Sequence, residues 1–188
     1  RVKRSAYTRA ATAIGLAIHA EGQFNGVIHE KFTRYFGVWR EADEGREIRF
    51  DPVFYKGTAL PDAGMPPLRE EREYTPTHNI GHFRYLEASA IDPAGRPVGD
   101  ITLWDEILFP FDPALEKEPD LRLLPVQHCE QSLQQRIRET WLCNVNGAVE
   151  VILSNQTSGF EKRYRLGRWN SAEPVVRPAN GKRRKSRI

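Results

Sequence analysis

The chain has 188 residues, 28 of them Lys or Arg and 25 Asp or Glu, for a formal net charge of +3. That length buries one ordinary core, or one domain with an appendage. Ten basic residues lie at the ends (Arg1, Lys3, Arg4, Arg9; Arg177, Lys182, Arg183, Arg184, Lys185, Arg187), so the body between them carries −7 (3 minus 10), which argues against a nucleic-acid fold with a basic face.

Thirteen prolines and fourteen glycines suit short strands and turns better than a helical bundle. Four Trp, six Tyr and nine Phe supply bulk for the core. No apolar run reaches membrane-spanning length, and no secretory signal is evident. Cys129 and Cys143 make no disulfide framework, so a reducing, cytoplasmic setting is the simplest expectation. The chain begins at Arg1 without Met and reads as a fragment of a longer protein.

In chain order, residues 5–21 (SAYTRAATAIGLAIHAE) predict the one convincing helix, with Ala10, Ala13, Ile14, Ala17 and Ile18 on one face. Gly22 is placed to end it. Residues 32–39 read as a connector running into a first strand, and 41–47 (EADEGRE) as a polar loop. Residues 48–60 predict a strand in which Pro52 marks an edge or bulge. After a loop at 61–67, strands are expected at 68–74 and 82–88, with a turn at 75–81. Asp92-Pro93-Ala94-Gly95 is a strong turn signal before a strand at 98–108. Residues 109–125 are punctuated by proline, and 126–135 predict a short helix.

The stretch 136–167 (RIRETWLCNVNGAVEVILSNQTSGFEKRYRLG) predicts a three-stranded meander. Asn146-Gly147 is the dipeptide favoured in a tight hairpin. The runs 140–145 and 149–153 on either side are β-branched, aromatic and apolar. After a second turn at 155–159, Phe160, Tyr164 and Leu166 recur at even spacing among charged residues, the pattern of a strand with one dry face. The whole reads as a mainly β fold: an antiparallel β-sandwich of about eight strands with one N-terminal α-helix.

This meander resembles the closing strands of the substrate-binding domain of the 70-kDa heat-shock chaperones. Three other segments resemble that family in the same order. Residues 11–20 (ATAIGLAIHA) are similar to the last helix of the nucleotide-binding domain. Residues 51–61 (DPVFYKGTALP) are similar to the second sandwich strand, and 98–110 (VGDITLWDEILFP) to a later one. The resemblance implies four regions: 1–22 as the end of a mostly absent nucleotide-binding domain, 23–35 as linker, 36–168 as the sandwich, and 169–188 as a basic disordered tail. It implies a molecular chaperone whose ATP and Mg belong to an upstream ATPase domain, with no cofactor and no enzymatic activity in this segment. Two departures stand out. Residues 22–34 have no acidic-leucine linker, and prolines at 174 and 178 argue against a helical lid.

In that family an extended peptide lies between two loops of the sandwich. Carried over by position, the peptide-binding candidates are Val38, Arg40, Glu41 and Gly45 around the first loop. Thr75, Thr77, His78, Asn79 and Ile80 are those around the second, with Val38 and Ile80 as the apolar pocket. The expected partners are unfolded or extended peptide segments and an upstream ATPase domain, with no membrane and no nucleic acid. No catalytic or metal site is expected. His78 and His82 have ligand spacing only on a helix, which Pro76 and Gly81 disfavour. Acid pairs such as Asp105-Glu106 alternate faces on a strand. A structural or docking sandwich with one folded partner is the alternative, and nucleic-acid binding through the basic tail is the third reading.

Overall fold

The computed structural model describes residues 10–20, 30–42 and 47–167. One helix, α1 (Ala11–Ala20), precedes eight strands: β1 (Tyr35–Ala42), β2 (Glu47–Phe54), β3 (Leu68–Tyr74), β4 (Ile80–Ile91), β5 (Pro97–Pro110), β6 (Ile137–Cys143), β7 (Val149–Asn155) and β8 (Glu161–Arg165). They form two four-stranded antiparallel sheets, ordered β2-β1-β4-β5 and β3-β6-β7-β8. Among the described residues, the fold is therefore the expected antiparallel sandwich of eight strands with one N-terminal helix.

Period-two alternation builds the core. On β1, Phe36 and Val38 point between the sheets; on β6, Ile137, Trp141 and Cys143 do the same. Val53, Phe54, Phe83, Tyr85, Ile107, Phe109, Phe111, Val149, Val151, Leu153, Tyr164 and Leu166 complete this central cluster. A smaller cluster of Phe50, Leu86 and Ala88, with Tyr35, Trp39 and Ile91 against it, covers the outer face of the first sheet. Gly37 makes that possible: a Cβ there would meet the Asp51 carbonyl at 2.3 Å and the Phe50 ring at 2.8 Å.

Several local expectations are corrected. β1 continues through Glu41 to Ala42 and β2 begins at Glu47, so the polar loop is shorter than 41–47. β2 stops at Phe54 rather than residue 60, because Tyr55 to Thr58 turn over Gly57 at φ +92°. β4 and β5 are longer than expected, paired from Ile80↔Pro110 to Ile91↔Pro97 with register shifts between Arg84 and Leu86 and between Ala88 and Ala90. The helix predicted at 126–135 is only a 3-10 turn at Ser132–Gln134. The segment before it is held extended by the loop after β3: Asn79 N donates to the Gln127 carbonyl and Cys129 N to the Thr77 carbonyl. Pro52 does sit on an outer strand opposite a register shift, as its imino ring requires.

The Asn-Gly hairpin forms, with Gly147 at φ +72°; the Asn144 side chain accepts from the Asn146 and Ala148 amides and fixes the turn. The apolar face of α1 is exposed, with Ile14 at 40% and Ile18 at 48%. The remainder of the predicted helix, the linker up to residue 29, and the basic tail at 169–188 lie outside the described residues.

Candidate functional site

β2 and β3 are outer strands of their respective sheets and lie on the same side of the sandwich, where Arg72 of β3 reaches within 3.6 Å of Asp51 of β2. A cleft of about 520 Å³ opens there. Its lining comes from the ends of β1 and β3, Asp51 of β2, the loop after β3, the start of β4, and Phe111 and Val126. Ile80, Phe83 and Phe111 are buried beneath it, each below 10% exposure. Gly81 keeps the space open, since a Cβ there would lie 2.2 Å from the Phe111 ring.

The inner wall is ionic. Arg40 continues the inward alternation of Phe36 and Val38, so its guanidinium enters the space between the sheets. Glu139 holds the same position on β6, between Ile137 and Trp141, and is fully buried. Arg40 Nη1 and Nη2 donate to the two Glu139 oxygens at 2.6 and 3.2 Å, and Nε donates to Asp51 Oδ2 at 2.7 Å. Burial works against the charge of Arg40, but the charge and hydrogen bonds of Glu139, with Tyr74 and Asp51, together outweigh it and hold the guanidinium above its ordinary value. The Arg40 guanidinium also lies 5.6 Å from the centroids of both Tyr74 and Trp141. Burial, then the neighbouring Glu139 charge, pushes the Tyr74 phenol well above its ordinary range.

The loop wall is clasped from behind. Asn79 accepts from the Gln127 amide through Oδ1 at 2.9 Å and donates through Nδ2 to the Pro125 carbonyl at 3.1 Å. The rings of His78 and His128 face each other with centroids 5.2 Å apart. This fixes a loop that has no regular partner of its own in the sheet.

Five of the nine residues expected from the sequence line this cleft: Arg40, Thr75, Thr77, His78 and Ile80. Val38 does not; it is fully buried in the central core and only supports the site. Asn79 is buried and structural. Glu41 is a strand residue whose side chain lies outside the described set, as does Gly45. Sequence reading missed Asp51, Arg72, Tyr74, Phe83, Phe111 and Glu139. A signal existed for Glu139: an acid at an odd position in Ile137-Arg138-Glu139-Thr140-Trp141 falls on the dry face of its strand and demands a buried cation.

His82 is paired with Glu106 on the neighbouring strand. Among the described residues, no group of three or more His, Cys, Asp or Glu has metal-binding proximity. Burial raises the Cys143 thiol to about 11. Cys129 contacts the Asp112 and Gln131 side chains and has no positioned imidazole base in its hydrogen bonds. Among the described residues, no helix is long and apolar enough to cross a membrane.

The site thus belongs to an antiparallel β-sandwich with a side cleft between its sheets. The chain matches no protein-family model and no curated protein.

Proposed function

We propose that this sandwich is a peptide-binding domain of the 70-kDa heat-shock chaperone type, holding an extended segment of another polypeptide in the cleft between its sheets. One observation carries the reading: a cleft of about 520 Å³ with a buried apolar floor, bordered by Arg40 and by the 75–80 stretch that the family resemblance singles out. Peptide clefts of this kind use main-chain hydrogen bonds for affinity and a side-chain pocket for preference. ATP and Mg, in this reading, belong to an upstream ATPase domain of the parent protein.

The fixed ion pairs of the inner wall favour a second reading, in which the same cleft docks one particular partner. A wall of satisfied charges is less tolerant of sequence than a plain apolar pocket.

The test is fluorescence anisotropy of the purified chain against an array of extended apolar peptides. Micromolar binding to many unrelated sequences, weakened at least tenfold by Val126→Glu at the exposed cleft mouth, supports the chaperone reading. Binding to a single sequence supports docking. Peptide binding unaltered by Val126→Glu and by Thr75→Glu removes the cleft as the site.

A further inference from the structure

Half of the side chains that line the cleft are flat groups. Tyr74 and Phe111 meet edge to face, centroids 6.1 Å apart at 84°, and Phe83 meets Phe111 the same way at 6.0 Å and 88°. Trp39 lines the rim and the Arg40 and Arg72 guanidiniums the inner wall. We infer that the cleft selects an aromatic side chain of its peptide over an aliphatic one of equal size, by extending the edge-to-face array of Tyr74, Phe83 and Phe111. This inference rests on the peptide-binding reading and names the residue class that such a peptide must present.

The physical argument has two parts. An edge-to-face array leaves ring faces, which are negative, and ring edges, which are positive, available to the next ring; a saturated side chain uses neither. The Arg40 guanidinium 5.6 Å from the Tyr74 ring adds a fixed planar cation at the inner end of the same wall. The satisfied charges of Arg40 need no ionic partner from the ligand, so recognition falls to the rings.

The experiment compares one extended peptide carrying Phe, cyclohexylalanine or Leu at its central position. Cyclohexylalanine keeps the bulk of Phe and removes the π-system. The Phe peptide is expected to bind about tenfold tighter than the cyclohexylalanine peptide, the effect of one to two ring contacts. In Phe111→Leu that ratio is expected to fall below about threefold. Tyr74→Leu is the independent second variant, and both are checked for folding by thermal melts. Equal affinity of the Phe and cyclohexylalanine peptides for the unaltered protein overturns the inference and leaves peptide binding standing. A ratio that stays near tenfold in both folded variants also overturns it. Binding of none of the three refutes the peptide reading, and this inference with it.

Discussion

Glu139→Gln isolates the feature on which the inner wall depends. Glu139 is fully buried and accepts from Arg40 at 2.6 and 3.2 Å, whereas the Arg40 side chain is 21% exposed and keeps Asp51 at 2.7 Å. Breaking a buried pair by removing one charge costs about 3–5 kcal/mol, because the surviving charge stays desolvated. Here the retained Asp51 contact and the partial exposure of Arg40 place the loss near the lower end, about 3 kcal/mol. That is a large part of the 5–15 kcal/mol typical of a whole domain. Urea unfolding followed by tryptophan fluorescence measures it, with an unchanged m-value expected. The double variant Arg40→Met/Glu139→Leu removes both charges together, and its expected stability is within about 1 kcal/mol of the unaltered protein. A single-variant loss below about 1 kcal/mol would show that water reaches the pair. A double variant as damaged as the single one would show that the pair itself, rather than the avoidance of a lone buried charge, stabilises the sandwich.

Gly81→Ala is expected to push the Phe111 ring into the cleft, costing about 1–3 kcal/mol and weakening any peptide; unchanged affinity by anisotropy would contradict the geometry. Of the two cysteines, Cys129 is expected to react with a thiol reagent in the native state. Cys143, fully buried and with its thiol raised to about 11, is expected to react only on unfolding, which mass spectrometry of labelled peptides resolves. Burial raises the Asp105 carboxyl above its ordinary range, although it accepts from the Gly167 amide. A raised folded value means that charging Asp105 costs stability above that value, and that the cost is relieved as pH falls through it toward the ordinary value of about 3.9. Relative to Asp105→Asn, the unaltered protein is therefore expected to gain stability as pH is lowered in that range; a pH-independent difference in urea midpoints would contradict this.

Strands were the legible part of this chain. β3 lies where expected, at Leu68–Tyr74, and β6, β7 and β8 fall within the predicted meander, because their even spacing of apolar residues and turn chemistry are local signals. Where a segment borrows its partner from afar, the reading failed. Residues 126–135 carry no local sign that Asn79 will take their backbone groups, and so a helix was predicted where an extended clasp forms. The 75–80 stretch was recognised through a family resemblance, whereas Phe83 and Phe111 of the same cleft were not, since each reads equally well as plain core.

By itself the sequence determined the dry face of the last strand, the turns at Asp92 to Gly95, Asn146-Gly147 and 155–159, and that an antiparallel sandwich forms. Those are period-two and nearest-neighbour properties, carried by residues a few positions apart. Only the tertiary structure decided which strands lie outermost, that β2 and β3 share the open side, and that Arg40 meets Glu139 across 99 residues. The reason is physical: a dry-face charge must find a counter-charge, but which one it finds depends on how the sheets stack, and stacking is set by the sum of many contacts distant along the chain.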